Sequence, residues 1–373
     1  MVTARLIYDN PEKNADIYYA TGFRAPDAFI FFEKTGKKYM VMSDLEIDRA
    51  RRESKVDRVL SINPYAARAA GKKKAPGQAD IVGEILADHG IDRLVVPGET
   101  PFTLVDALRI KGFRVEAGPT PFYPDRFVKG AEERRHILAS QRVVFAAMGL
   151  ARDVLASSRI RGSRIVYKGR TLTSGSLRTM INVFLLERGF VGSDTIVACG
   201  RHSIDPHDVG AGPLMPHKSI IVDIFPRSVK TGYFGDATRT FCKGRAPDAL
   251  KRMYATVKDG QALGISMVRA GINGRKIHES IHALFGNRGY VSGEKGGRMQ
   301  GFFHGTGHSV GLEIHEEPAR IAGRDFILKA GNVMSVEPGL YYKAIGGVRI
   351  EDLVFVTKSG CDVLSGFPKK LEV

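Results

Sequence analysis

The sequence is poor in cysteine, and its three thiols cannot all pair within one chain. Cys199, Cys242 and Cys361 are an odd number, and no two of them have the CxxC spacing of a zinc or redox motif. A reducing cytoplasm is therefore the predicted compartment. No apolar run reaches the roughly 18 residues that span a membrane. The opening segment MVTARLIYDNPEKN also lacks the apolar core of a signal peptide. We expect no membrane partner.

Acidic residues are outnumbered, with 40 Asp and Glu against 56 Lys and Arg and a net charge of +16. Such a surplus could mark a nucleic-acid-binding surface. However, the basic residues occur in short groups such as GKKKAP, ARRESK and EERRH, without the interleaved aromatic residues of a stacking platform. The pattern favours a solvated basic surface, and we do not expect a nucleic-acid partner.

Two aspartates interrupt strand-like segments within residues 219–241. Asp223 lies in a β-branched and aromatic run over residues 220–225, and Asp236 lies in a second run over residues 233–241. Turn residues separate the runs, so the pattern predicts a hairpin. In it the two carboxylates could face each other and hold adjacent metal ions. Taken singly, each could instead be a satisfied buried acid.

Three histidines crowd the segment GFFHGTGHSVGLEIHEEP, residues 301–318. His304 and His308 are four positions apart, as on one face of a helix, but the glycines between and after them disfavour a helix. An extended, glycine-rich loop that passes close to a ligand is predicted, with His315 at its far end. The alternative is that these histidines decorate a surface turn.

Two glutamates occupy apolar surroundings in residues 333–357. Glu337 follows the strand-like residues 333–336, and Glu351 lies in the strand-like residues 348–356. A buried acid needs a cation or an arginine, and Arg349 could neutralise one of the acids but not all of them.

These four carboxylates and His308 are best explained by cations between them, because four converging acids would repel one another. Two divalent ions roughly 3.5 to 4 Å apart lower the pKa of a shared water and polarise a carbonyl. Oxygen-rich ligation with one imidazole favours manganese, cobalt or iron over a structural zinc site. The sequence therefore predicts a two-metal hydrolase.

The segments VDIF, GDATRTF, HGTGHSVG, EIHEEP, SVEPGLY and GGVRIEDLV resemble, in order, those of the pita-bread metallopeptidases. This group contains the Xaa-Pro aminopeptidases, prolidases and methionine aminopeptidases. The resemblance implies an α+β protein. Residues 128–373 would form a pita-bread (creatinase/aminopeptidase) catalytic domain, and residues 1–127 a smaller α/β creatinase-like (ribonuclease H-like) domain.

The resemblance also implies a role for each site residue. Asp223 would bind one metal, His308 and Glu337 the other, and Asp236 and Glu351 would bridge the two. Manganese is expected first, with cobalt, iron or zinc as alternatives. A bridging hydroxide would attack the peptide carbonyl while Glu337 moves the proton. His207 and His315 would contact the substrate as catalytic groups, and His304 and Arg349 would contact it as binding groups.

One spacing departs from the family pattern. The two aspartates are thirteen positions apart, two more than is usual in the family. The extra residues fall in the turn PRSVKTGY. We expect them to lengthen the turn without moving the ligands, since a shift of two preserves the face on which each side chain lies.

The segment NADIYYATGFRAPDAFIFF resembles the amino-terminal domain of Xaa-Pro peptidases and prolidases, which simple methionine aminopeptidases lack. Cleavage before proline is therefore the expected activity, on dipeptides or longer peptides. The choice between them depends on what binds the substrate carboxylate, with Arg320 and Arg324 as further candidates. The alternatives are a methionine aminopeptidase, a creatinase-like amidinohydrolase, and a metal-independent nucleic-acid or protein-binding member of the fold. Relatives with two domains imply a homodimer.

Overall fold

A computed structural model describes residues 2–364 and 366–373, except for the side chains of residues 317–319. The chain divides into two compact units, Met1–Arg126 and Phe127–Val373. A 3-10 helix, Pro124–Phe127, spans the boundary between them.

The first unit is a mixed sheet with helices on both faces. Its strands run in the order β4-β3-β2-β1-β5-β6, antiparallel for β1-β2-β3 and parallel for the pairs β3-β4, β1-β5 and β5-β6. The strands are β1 Thr3–Asp9, β2 Phe29–Lys34, β3 Lys37–Met42, β4 Arg58–Ser61, β5 Arg93–Val96 and β6 Arg114–Ala117. The helices are α1 Ala15–Thr21, α2 Ile47–Glu53, α3 Asn63–Lys72, α4 Gln78–Asp88 and α5 Phe102–Ile110.

Alternation along the strands explains why both faces of this sheet are covered. Phe31 belongs to an apolar cluster with residues of α1 and α2, whereas its neighbour Phe32 belongs to a cluster with residues of α3, α4 and α5. Successive side chains of a strand point to opposite faces, so the unbroken apolar run AFIFF indicates burial on both sides. The apolar segments AFIFFE, KKYMVMS and RLVVPG contain strands and DIVGEILADHGI contributes most of α4, so this unit is α/β.

The first half of the second unit packs two helices on the antiparallel sheet β11-β12-β14. The helices are α6 Ala131–Ser157 and α7 Ser174–Leu186. The long helix α6 buries Ile137, Val144 and Met148. The strands are β7 Arg159–Arg161, β8 Arg164–Tyr167, β9 Arg170–Thr171, β10 Phe190–Val191, β11 Ile196–Cys199, β12 Ile220–Ile224, β13 Arg227–Ser228 and β14 Ala237–Phe241, with a 3-10 helix, Gly200–Ile204, after β11.

The second half repeats this arrangement, with α8 and α9 packed against strands of its own. The helices are α8 Asp248–Met267 and α9 Gly274–Asn287. The main sheet has the order β18-β17-β19-β22-β23, and β20 pairs with β21 in a separate hairpin. The strands are β15 Gly293–Glu294, β16 Met299–Gln300, β17 Gly307–Ser309, β18 Glu316–Ile321, β19 Val333–Val336, β20 Gly339–Tyr342, β21 Gly346–Arg349, β22 Asp352–Val356 and β23 Cys361–Val363.

No helix among the described residues is long and apolar enough to cross a membrane.

Candidate metal centre

The two aspartates come from neighbouring antiparallel strands of the first half. Asp223 lies in β12 and pairs with Thr238 of β14, while Asp236 immediately precedes β14. The hairpin-like pairing is confirmed, but the direct opposition of the aspartates is wrong. They are offset by two residues, because the register places Thr238 opposite Asp223. An offset of two keeps both side chains on the same face of the sheet.

Helix α6 holds the backbone of Asp236 through a residue that the sequence did not point to. The buried amide of Gln141 donates from Nε2 to the Asp236 carbonyl at 2.6 Å and accepts from the Asp236 N–H at 2.8 Å. A Cβ on Gly235 would lie 2.8 Å from the Ser140 backbone, so only glycine allows this approach. Gln141 thus gives Asp236 the pair of hydrogen bonds that a strand partner would supply.

The other three residues come from the second half. His308 lies in β17, Glu337 directly follows β19, and Glu351 directly precedes β22. The segment around His308 is extended and not helical, as predicted. The pair Val336 and Asp352 joins β19 to β22, so Glu337 and Glu351 are adjacent at the open end of this ladder. The Glu351 N–H donates to the Thr238 carbonyl at 3.1 Å and so connects the two halves at the site.

All five predicted residues line one cavity of about 480 Å³. His308 Nε2 lies 3.1 Å from Glu337 Oε1 and 3.7 Å from Asp236 Oδ2. Ligand atoms of Asp236, His308 and Glu351 all lie within 4.8 Å of one another. The Nδ1 atom of His308 lies 3.3 Å from the Ser309 carbonyl. Because a carbonyl only accepts, Nδ1 carries the proton, and Nε2 is the atom that is available to bind a metal. The structure therefore brings together the residues that the sequence placed in one site.

Two buried carboxylate oxygens at this site have no hydrogen-bond partner, Asp223 Oδ1 and Glu351 Oε1. A buried anionic oxygen without a partner is costly, and a cation is the ligand that such an oxygen set accepts. The other oxygens are anchored, because Glu351 Oε2 accepts from Thr238 Oγ1 at 2.8 Å and Asp223 Oδ2 accepts from Arg349 at 2.7 Å. The donor set fits divalent metal binding, with four carboxylates and one imidazole.

Electrostatics at the site indicate the same need for positive charge. Burial, followed by the repulsion of neighbouring carboxylates, raises the pKa of Asp236 and of Glu351 well above the usual values. Burial also acts to raise the pKa of Glu337, but its hydrogen bond to His308 and its electrostatic interactions with His308, His304 and Arg349 lower it to about 2. A divalent cation would favour the ionised form of every acid in this group.

Arg349 is buried and bound on several sides within the protein. Its guanidinium donates to Asp223 Oδ2 at 2.7 Å, to the Tyr341 hydroxyl at 3.0 Å, and to Thr238 Oγ1 and the Pro206 carbonyl, each at 3.2 Å. The acid that Arg349 neutralises is therefore Asp223, and not Glu337 or Glu351. A guanidinium held in this way orients Asp223.

His304 is connected to the same group through Tyr341, which sequence analysis did not single out. His304 Nδ1 lies 2.7 Å from the Gly305 carbonyl, and Nε2 lies 2.9 Å from the Tyr341 hydroxyl. Because a carbonyl only accepts, Nδ1 carries the proton and Nε2 accepts from the tyrosine. Burial is the main cause that lowers the pKa of His304 to about 4. The available signal was the position of Tyr341 at the end of SVEPGLY.

Replacing Tyr341 with Phe removes the hydroxyl that joins His304 to Arg349. The ring would still fill its buried position, but His304 Nε2 and one Arg349 N–H would each lose a partner. We expect the free energy of unfolding to fall by about 1 to 3 kcal/mol, the cost of unsatisfied buried polar groups. Urea unfolding measures this loss. Tyr342→Phe is the matched control, because the Tyr342 hydroxyl bonds the Val291 carbonyl in an exposed setting. Equal losses in the two variants would contradict the proposed connection.

The substrate-contacting histidines predicted from the sequence also line the cavity. His207 and His315 are both solvent-accessible, and the ring of His315 lies edge-on to His308 with centroids 4.3 Å apart. Partial burial and then the charge of His308 lower the pKa of His315 to about 4, so it is neutral at pH 7. Arg320 lines the cavity, whereas Arg324 is exposed and is not among the described residues that line it.

Solved structures that superpose on nearly the whole chain establish the fold. The X-Pro aminopeptidase from Thermotoga maritima MSB8 superposes with a TM-score of 0.81 at 22% identity, over 100% of this chain and 98% of its own. The prolidase from Pyrococcus horikoshii OT3 gives 0.79 at 23% identity, over 99% and 95%. The predicted α+β pita-bread fold with a smaller α/β domain is confirmed.

Sequence comparison establishes the family. An uncharacterized peptidase of Bacillus subtilis (strain 168), YqhT, is 36% identical over 178 residues, which are 48% of each chain. The Xaa-Pro dipeptidase of Lactobacillus delbrueckii subsp. lactis is 31% identical over 184 residues, 48% of this chain and 46% of its own. The matches thus span about half the length of these curated relatives. The model of metallopeptidase family M24 matches residues 139–358, more than half of the chain and all five candidate ligands. The chain belongs to metallopeptidase family M24.

Proposed function

We propose that this protein is a metal-dependent peptidase that cleaves the peptide bond preceding proline. The observation that carries the proposal is the convergence of four carboxylates and one imidazole on a single cavity, with two buried carboxylate oxygens that lack a partner. Peptides are the proposed substrates, since the family is one of peptidases and several relatives are named Xaa-Pro dipeptidase.

The metal ligands in this proposal are Asp223, Asp236, His308, Glu337 and Glu351. Two divalent ions, manganese first, would lower the pKa of a water and polarise the substrate carbonyl. Asp236 and Glu351 are proposed as the shared ligands. Their high pKa values in the protein alone mean that each gains most from a nearby cation.

Glu337 is proposed to move the proton. Its Oε1 accepts from Ser335 Oγ at 3.1 Å and faces His308 Nε2, so Oε2 is the atom assigned to proton transfer. It would take a proton from the attacking water and give it to the leaving amine nitrogen. The pKa of about 2 means that this carboxylate is ionised at neutral pH and carries no proton of its own before the reaction.

His207 and His315 are proposed to donate hydrogen bonds to the substrate as charge develops on the carbonyl oxygen. A neutral imidazole retains one N–H donor, so the low pKa of His315 is compatible with this role. His304 and Arg349 also line the cavity, but their polar atoms bond within the protein. We assign them to positioning of the pocket wall, and we propose Arg320 as the candidate anchor for a substrate carboxylate.

A panel of three peptides tests the proposal. Protein loaded with manganese or cobalt should hydrolyse a Xaa-Pro dipeptide or a Xaa-Pro tripeptide roughly tenfold or more faster than a Met-Ala peptide. The ratio of the rates on the dipeptide and the tripeptide separates a dipeptidase from an aminopeptidase. Protein whose metal has been removed with a chelator is the control. The fastest rate on Met-Ala would favour the methionine aminopeptidase alternative. Silence on all three, with salt-sensitive retention on nucleic acid, would favour a binding protein.

We further propose that the protein is a homodimer in the cytoplasm. The three cysteines, none of which is in a disulfide, are compatible with a reducing compartment. Light scattering tests the oligomeric state by measuring the mass in solution. A mass of twice the 40.8 kDa of one chain is expected. A fully active monomer would contradict the dimer.

A further inference from the structure

A second cavity of the unit Phe127–Val373 has a strongly basic lining. Its volume is about 700 Å³, larger than that of the metal cavity. The cationic and titratable basic residues around it come from four separate stretches of the chain and are Arg201, His202, Lys218, Lys295, Arg298 and Lys343. Four stretches converge on one concave space, so the positive charge there is not a single run of basic sequence.

The acids of this lining are already paired. Asp205 forms an ion pair with Arg298, and Asp208 Oδ2 lies 2.7 Å from His202 Nδ1. Four lining cations remain, and within the described part of the chain none has an acidic group within ion-pair distance: Arg201, Lys218, Lys295 and Lys343. The cavity therefore carries an uncompensated positive charge.

Like charges around one concave space repel one another and raise the local potential, so an anion placed among them is attracted by all of them together. Lysine offers a point charge with three donors and arginine a flat fork of donors, and both are suited to phosphate oxygens. Several cations favour a ligand with several negative charges.

The rest of the lining narrows the ligand further. No Phe, Tyr or Trp is among its described residues, so the cavity offers no aromatic surface on which a nucleobase could stack. Its volume falls within the roughly 300 to 1,000 Å³ typical of small-molecule sites. We propose that this cavity binds a small polyphosphate anion through Arg201, Lys218, Lys295 and Lys343. The proposal does not depend on the proposed peptidase activity.

One short segment separates this cavity from the metal centre. Asp205 and Asp208 line the basic cavity, while Pro206, His207 and Val209 line the metal cavity. An anion in the basic cavity would therefore bind directly behind the segment that carries His207.

Calorimetric titration with sodium tripolyphosphate tests the proposal. The double variant Lys218→Gln and Lys343→Gln should bind tripolyphosphate at least about tenfold more weakly than the parent protein, because charge-assisted hydrogen bonds are lost. The control is Lys230→Gln with Lys258→Gln, two exposed lysines that do not line the cavity, with the same change in net charge. The control should bind within about twofold of the parent. Circular dichroism of all three proteins establishes that each is folded.

The outcomes are separate. Equal weakening of binding in both double variants would mean that the effect comes from the overall charge of +16, and this would overturn the proposal. Unchanged binding in both variants would overturn it as well. A parallel titration with ATP distinguishes the source of the phosphates. Affinity equal to that of tripolyphosphate indicates recognition of the phosphate chain of a nucleotide, and affinity about tenfold lower indicates a free phosphate chain. The proposal would also be overturned if the parent protein did not bind tripolyphosphate.

Discussion

Replacing Glu337 with Gln is expected to abolish peptide hydrolysis, with kcat lower by about 10² to 10⁴-fold, the range for loss of a general acid–base group. The amide has the same shape but cannot take a proton from water or return it to the leaving amine. Its Oε1 can still accept from Ser335 Oγ, whereas the amide nitrogen takes the place of Oε2 and donates instead of accepting a proton. Steady-state kinetics on the best peptide of the panel, with metal in excess, gives the loss.

The metal content of Glu337→Gln shows whether the loss of activity comes from lost proton transfer or from lost metal binding. Elemental analysis of Glu337→Gln should show metal bound at a level close to that of the parent, since Asp223, Asp236, His308 and Glu351 remain. Glu294→Gln serves as the matched control, because it makes the same change in charge at an exposed position outside the cavity. Full activity of metal-loaded Glu337→Gln would refute the assigned role.

Local sequence was sufficient to predict the candidate ligands because each lies in a short segment whose pattern is self-contained. An acid within an apolar strand, or histidines between glycines, can be recognised without knowledge of the rest of the fold. The same local logic failed for the relation between Asp223 and Asp236. Their offset depends on the register of β12 and β14, which a turn of unusual length does not reveal.

The supporting contacts could not be predicted, because each joins residues distant in sequence. Gln141 is 95 positions from Asp236, and Tyr341 is 37 positions from His304. Gln141 has no distinguishing local pattern, since a glutamine on a long helix is usually a surface residue. Arg349 was singled out because it lies two positions before Glu351, but its partner Asp223 is 126 positions away. Tertiary packing alone determines that choice.

Replacing Arg239 with Met is expected to lower the free energy of unfolding by about 3 to 5 kcal/mol, because it breaks a buried ion pair. Arg239 is 1% exposed, and its Nη2 donates to Asp352 Oδ1 at 2.6 Å. It also donates to the carbonyls of Thr238 and Phe367 at 2.9 and 3.0 Å, and to that of Glu351. One side chain thus joins β14, the start of β22 and the C-terminal segment.

The remaining partners of Asp352 place the expected loss near the lower end of that range. Its Oδ2 accepts from Gln261 at 2.8 Å and from Lys369 at 2.6 Å, so its charge is not left alone when Arg239 is removed. The chain has no tryptophan, so urea unfolding is followed by far-ultraviolet circular dichroism. Arg288→Met is the control, because Arg288 pairs with Asp259 at 2.6 Å with side chains that are 39% and 54% exposed, and a loss of less than about 1 kcal/mol is expected there.

The same variant should weaken metal binding, although Arg239 does not line the cavity. Arg239 fixes the carbonyl of Glu351, and Asp352 is the next residue, so the substitution releases the backbone that carries a proposed bridging ligand. A rigid backbone is what keeps a ligand carboxylate in place for metal binding. Arg239→Lys retains the charge but offers a point charge in place of a fork, so it should restore part of the stability and less of the metal affinity. A Met variant as stable as the Arg288 control would show that the Arg239–Asp352 pair does not hold the two halves of the site together.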